Sequence, residues 1–277
     1  MARDIIDDRL IGALHLQALT RAGLAHDAER EHTAFQAGTL DALMAGAYDG
    51  FATLKELLDH GDLGIGTIEQ LDGELIVLDG TAWTVQGDGT VRSLPPSTRT
   101  PFAVVSRFAP TVHESVVGPW DLAELHVQLD RLAPPSASLI AIRIDGRFAQ
   151  LRLRSVHAQT PPYLPLAEVV QHQTEWSVAE ATGTLLGFRF PDATAGIEVP
   201  GYHLHFLAAD RDLGGHVLDL TLLDGEVALD PGDELHVELP PHVGLGVPGA
   251  ADRAAISAVE GGGEGGSRGG TGDRAAS

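Results

Sequence analysis

The chain contains no cysteine, which excludes disulfides, thiolate metal ligands and cysteine nucleophiles together. Any metal it holds must be taken by histidine, carboxylate or water. Positive charge is scarce: 18 Lys and Arg stand against 39 Asp and Glu, a formal charge of -21. A surface this acidic repels phosphate backbones and anionic lipid, so neither nucleic acid nor a membrane is an expected partner. Long apolar runs are missing as well; no segment approaches the roughly 18 to 20 residues that span a bilayer. Residues 1–8 are acidic where a signal peptide would be basic and then apolar, so a cytoplasmic protein is expected. There is no P-loop, no G-x-G-x-x-G after a strand, no G-x-S-x-G elbow and no H-E-x-x-H. These gaps speak against nucleotide cofactors, serine hydrolases and zincins.

What is present is an ordinary globular composition, 43% apolar over 277 residues, enough for a substantial core. Apolar residues keep a loosely helical period over 4–30, and short helices are predicted over 39–48 and 52–60, with Thr39 and Thr53 as caps. From Gly64 the pattern turns to short Val, Ile, Leu and Thr runs punctuated by Asp72-Gly73, Asp79-Gly80 and Asp88-Gly89, which predicts a meander over 64–94. A buried strand over 102–108 and a helix over 120–131 follow. A hairpin comes next, with arms 139–144 and 148–156 around a turn at Asp145-Gly146. A loop with a short helix (161–172) leads to strands over 182–190, 202–207, 216–224 and 234–239. The expected fold class is α+β, with N-terminal helices and then a mostly antiparallel or mixed β body in two β-rich halves, about 64–156 and 180–240. Residues 261–277 are rich in Gly and are expected to be disordered.

The residues richest in chemistry are Gly201-Tyr202-His203-Leu204-His205-Phe206 and Gly214-Gly215-His216-Val217-Leu218-Asp219. In a strand, alternate side chains share a face, so His203 and His205 point the same way while Tyr202, Leu204 and Phe206 pack on the other. The double glycine is a natural chain reversal that brings His216 alongside. Three converging imidazoles hold a divalent transition metal and leave positions open for chemistry. Glu74 shares a strand face with Ile76 and Leu78; it is either a solvent-edge residue after a turn or a carboxylate placed inward, which then needs a metal, an arginine or a proton. Arg152 and Arg154 share a face too, suited either to surface ion pairs or to gripping a carboxylate in two places.

Further runs give the chain an overall resemblance. They are Tyr48-Asp49-Gly50, His60-Gly61-Asp62-Leu63-Gly64-Ile65-Gly66-Thr67, Leu71-Asp72-Gly73-Glu74 and Thr100-Pro101-Phe102. They continue with Arg143-Ile144-Asp145-Gly146, Arg154-Ser155-Val156, Gly183-Thr184 and Gly187-Phe188-Arg189. With the histidine runs, in this order and spacing, they resemble the acetolactate decarboxylase family, which converts 2-acetolactate to acetoin and carbon dioxide. The resemblance covers about 33–260. It leaves 1–32 as a helical extension and 261–277 as a tail.

The resemblance implies one zinc ion held by His203, His205 and His216, no organic cofactor, and active-site roles for Glu74, Thr67 and Arg154. It implies a further carboxylate near the metal, best matched by Glu260, with Glu264 competing. It also implies a homodimer and the R enantiomer of acetoin. On that basis the substrate is a small 2-hydroxy-3-oxo acid, and zinc would act as a Lewis acid stabilising the enediolate left by carbon dioxide. Arg154 would hold the carboxylate, Glu74 would orient the hydroxyl or move a proton, and Thr67 would hydrogen-bond the substrate. Two competing readings remain. One is a cupin-like metal oxygenase, whose extra carboxylate would have to be Asp210, five residues after His205. The other is a non-enzymatic β module that binds a small ligand.

Overall fold

A computed structural model describes residues 15–19 and 31–240. The strands in chain order are β1 (His15–Leu19), β2 (Thr33–Ala37), β3 (Ala52–Thr53), β4 (Leu63–Thr67), β5 (Glu74–Leu78), β6 (Thr81–Val85), β7 (Val91–Ser93) and β8 (Arg99–Thr100). They continue with β9 (Phe102–Ser106), β10 (Val112–Asp121), β11 (Leu139–Ser155), β12 (Thr174–Phe190), β13 (Gly201–Ala208), β14 (Gly214–Gly232) and β15 (Glu234–Glu238). Among the described residues four α-helices accompany them: α1 (Leu40–Met44), α2 (Leu54–Leu58), α3 (Leu122–Leu132) and α4 (Leu166–Val169).

Local chemistry explains the short elements. The Thr39 hydroxyl accepts from the Ala42 amide to start α1. Thr53 and Glu56 form a reciprocal capping box at the head of α2. Asp79-Gly80 turns β5 into β6 with both residues at positive φ, 51° and 72°, the geometry a two-residue hairpin favours.

Two large sheets face each other. The first has eight strands in the order β1-β15-β2-β9-β4-β5-β6-β7, with β1 and β2 parallel to β15 and the remaining pairs antiparallel. The second runs β10-β14-β11-β12-β13 and then closes on itself, because the start of β14 also pairs with β13. Between the sheets lie Ile65, Ile76, Leu78, Val104, Leu186, Phe188 and Leu207. The other face of the second sheet packs Leu204, Phe206, Phe148 and Leu220 beneath α3. The outer face of the first packs Phe35, Leu75 and Val77 beneath α2.

Several expectations need correction. The β body of mixed sheets is as expected, with α1 and α2 where short helices were predicted, but the balance is mostly β rather than α+β. Within 4–30 the described segment is a strand, β1, whose backbone bonds complete the parallel edge of the first sheet; the rest of that stretch and 241–277 lie outside the described residues. Asp145-Gly146 is not a turn. It lies inside the 17-residue strand β11, held there by Arg143 Nε donating to Asp145 Oδ2 (2.8 Å) and Thr184 Oγ1 donating to Asp145 Oδ1 (2.6 Å). The two β-rich halves also divide elsewhere: 112–155 pairs with the strands that follow it, and Glu234–Glu238 returns to the first sheet.

Candidate metal centre

The site lies where the second sheet closes. On β14, His216 is in register with His205 of β13 on one side and with Arg154 of β11 on the other. Directly opposed residues of an antiparallel pair project to the same face, so Arg154, His216 and His205 form a row across three strands. A register shift between Arg152 and Leu153 produces this row. One extra residue on β14 reverses its parity against β11 and brings His216, rather than Val217, opposite Arg154.

The double glycine acts differently from the sequence expectation. The reversal is made upstream, where Ala208 and Leu213 are joined by a backbone hydrogen bond of 2.8 Å. Gly214 and Gly215 already belong to β14. A Cβ on Gly215, which has φ +142°, would lie 2.7 Å from the Arg154 carbonyl.

Strand parity on β13 holds as expected. Leu204 and Phe206 are in the core beneath α3 and Tyr202 packs against it, while His203 and His205 face the first sheet. His203, His205 and His216 are all buried, their ring centroids are 5.1 to 5.4 Å apart, and one nitrogen of each lies within 4.8 Å of the others. The His205 Nδ1 is 3.0 Å from the Leu75 carbonyl. A carbonyl can only accept, so Nδ1 carries the proton and Nε2 presents its lone pair to the cluster, as a metal ligand must. That buried Nε2 makes no hydrogen bond. Burial first, and the Arg154 charge second, push the His203 pKa down to about 3. Burial also takes His205 well below its ordinary value, helped by His203 and Arg154 and opposed by the Leu75 hydrogen bond. Both rings are therefore neutral near pH 7, the state that binds a metal. The donor set fits a divalent transition metal.

The first sheet supplies the facing pair. Thr67 of β4 and Glu74 of β5 are opposed in register, and both are buried. Glu74 is thus the inward carboxylate. Its Oε1 accepts from an Arg154 terminal nitrogen at 3.1 Å, and its Oε2 is 3.5 Å from His205 Nε2. Gly73, at φ +97°, carries the chain tightly past Val85 into Glu74. The Thr67 hydroxyl donates to the Gly73 carbonyl (2.8 Å), so the same turn is clamped from β4. Ser155 Oγ donates to the Val85 carbonyl (2.6 Å) and joins the two sheets beside Arg154.

Thr67, Glu74, Arg154 and His203 line a pocket whose remaining lining is apolar, with Leu43, Leu71, Val156 and Leu166 among its members. Arg152 shares the Arg154 face but lies at the surface, paired with Glu175 at 3.4 Å. Asp210 is in the exposed turn between β13 and β14, outside the histidine cluster. Glu260 and Glu264 fall outside the described residues. The role of the Leu75 carbonyl has no signature in sequence, because any residue offers the same group. The apolar wall from α1 and α4 is legible in sequence only as two short helices, over 39–48 and within 161–172.

The profile of alpha-acetolactate decarboxylase matches residues 34–244. An alpha-acetolactate decarboxylase of Methylococcus capsulatus is 42% identical over 236 residues, which cover 85% of this chain and 90% of that protein. One from Klebsiella aerogenes is 37% identical over 74% of this chain and 79% of its own length. The crystal structure of alpha-acetolactate decarboxylase from Bacillus subtilis strain 168 superposes with a TM-score of 0.80 at 33% identity. It covers 83% of this chain and 99% of that one.

Proposed function

This chain belongs to the alpha-acetolactate decarboxylase family and is a carboxy-lyase, and on that premise we propose that it converts 2-acetolactate to acetoin and carbon dioxide at the cluster of His203, His205, His216, Glu74, Arg154 and Thr67. The observation that carries this is the row Arg154, His216, His205 on one sheet facing the Thr67–Glu74 pair on the other. It sets a fixed cation and a carboxylate beside a cluster of three buried imidazoles, with His203 reaching the pocket.

A β-keto acid loses carbon dioxide when its neighbouring ketone takes up the electron pair, so the site must favour negative charge on that oxygen. His203, His205 and His216 would hold a zinc ion, which would supply that positive charge as a Lewis acid without an organic cofactor. Arg154 binds the substrate carboxylate, its guanidinium held in place by Glu74 at 3.1 Å. Glu74 orients the substrate hydroxyl and moves a proton at its Oε2. The Thr67 hydroxyl proton is committed to Gly73, so its oxygen accepts a hydrogen bond from the substrate. The apolar wall excludes water until a proton is delivered to one face of the product, which gives a single acetoin enantiomer, the R form. The family resemblance further supports a catalytic domain over 33–260, Glu260 as an additional carboxylate at the metal, and a cytoplasmic homodimer.

The test is to incubate the purified protein with racemic 2-acetolactate, follow carbon dioxide release and resolve the acetoin on a chiral column. Release well above the spontaneous rate with one dominant enantiomer is expected. Release at the spontaneous rate with racemic acetoin would overturn the assignment.

A further inference from the structure

The Tyr48-Asp49-Gly50 run lies outside the chemistry proposed above, yet it ties together the segments that wall the pocket. The Tyr48 hydroxyl donates to the Leu164 carbonyl at 2.9 Å, and the Tyr163 hydroxyl donates to Asp49 Oδ1 at 2.8 Å. The two rings meet edge to face with centroids 5.2 Å apart. The Tyr48 carbonyl accepts from the Gln70 amide (2.8 Å), and the Gln70 carbonyl accepts from the Gln159 amide (2.7 Å). Three connections, the one after α1, the one between β4 and β5, and the one between β11 and β12, are thus fastened to each other.

What they hold is a small apolar cluster separate from the cores within and between the sheets. Leu40 and Leu43 come from α1, Leu71 precedes Glu74, and Leu166 lies on α4. All four line the pocket together with Arg154 and His203. Leu166 belongs to neither sheet. Its position depends on a connector fixed by Tyr48 and Tyr163, with the Asp49–Tyr163 bond at the surface. Dense apolar walls discriminate by volume: one methylene in a hydrophobic pocket changes relative rates by roughly 10- to 200-fold.

We propose that Leu166, with Leu43 and Leu71, gauges the size of the alkyl groups on the substrate, and that Tyr163 is a positioning residue that sets the gauge by fastening α4 to Asp49. The pocket then accepts 2-hydroxy-3-oxo acids whose substituents fit this wall. This inference rests on the decarboxylation proposed above.

The experiment compares kcat/KM for 2-acetolactate and for its homologue bearing ethyl in place of methyl at C2. It uses the zinc-loaded full chain and its Leu166→Ala, Leu166→Phe and Tyr163→Phe variants. Leu166→Ala is expected to shift the ratio toward the ethyl acid by roughly tenfold, and Leu166→Phe to shift it by a similar factor toward the methyl acid. Tyr163→Phe keeps the ring and removes one hydrogen bond, so a shift of roughly threefold toward the ethyl acid, in KM rather than kcat, is expected. Should Leu166→Ala not fold, Leu43→Ala tests the same wall in the same direction. Ratios unchanged in all variants, with the wild type active, would overturn the gauge alone. A wild type that releases no carbon dioxide from either acid would overturn the assigned reaction and the gauge with it.

Discussion

Replacing Glu74 with leucine removes a carboxylate oxygen 3.1 Å from the Arg154 guanidinium, in a pair whose side chains are only 8% and 5% exposed. A pair this dry differs from a surface ion pair, which contributes at most about 1 kcal/mol. Breaking a buried pair by deleting one member costs about 3 to 5 kcal/mol, because the remaining charge stays desolvated. Domains are stable by only about 5 to 15 kcal/mol in total, so Glu74→Leu should lower the urea midpoint clearly and Tm by roughly 10 °C. Adding Arg154→Met removes the buried charge as well. The double variant should therefore regain most of the lost stability, since replacing both partners of such a pair with apolar groups is often neutral. Both variants should be inactive, because the cation for the substrate carboxylate is unheld in the first and absent in the second. Urea unfolding of the metal-free proteins isolates this effect from zinc binding. If the double variant were no more stable than Glu74→Leu, or Glu74→Leu cost under about 1 kcal/mol, the pair would not be the buried, coupled unit described.

Two further outcomes are expected. His203 titrates near 3 in the fold, and His205 is displaced in the same direction. As pH falls from about 6.5, the unfolded chain therefore takes up protons that the metal-free fold refuses, and stability falls by about 1.4 kcal/mol per pH unit for each histidine. Urea midpoints of metal-free protein at pH 7, 6 and 5 measure this, and a flat profile would contradict the buried neutral rings. Gly215→Ala sets a Cβ 2.7 Å from the Arg154 carbonyl, whereas Gly89 has open space around it at φ +84°. The first should shift His216 and lower zinc content along with about 2 kcal/mol of stability; Gly89→Ala should lose only about 1 kcal/mol and keep its metal. Equal zinc content in both, read by elemental analysis, would show that the closure of β13 on β14 tolerates a side chain.

Residues two apart on one strand were legible from sequence because strand parity is local. The faces of His203, His205, Leu204 and Phe206 follow from that alternation alone, and the Asp79-Gly80 hairpin follows from equally local turn chemistry. The rest depended on pairings between distant segments. Arg154 and His216 are 62 positions apart in the chain, and they are opposed only because of one extra residue in the register of β14. No local composition marks that shift. Asp145-Gly146 has the chemistry of a turn, but side chains from Arg143 and Thr184 satisfy Asp145 within a continuous strand. Glu74 was ambiguous for a similar reason: its strand face was legible, but the partner that makes an inward carboxylate tolerable comes from β11, 80 residues away. Within 4–30 the apolar period resembled a helix, while the parallel edge offered by β15 orders His15–Leu19 as a strand.

The central claim is that three imidazoles hold the one metal on which carbon dioxide release depends. Its most direct test is to strip the protein with a chelator and titrate zinc back while following carbon dioxide release from 2-acetolactate, with His205→Ala in parallel. Activity should vanish on stripping and rise linearly until one zinc is bound per chain, and His205→Ala should bind zinc far more weakly and stay inactive. Full activity in the stripped protein, or wild-type zinc binding by His205→Ala, would contradict it.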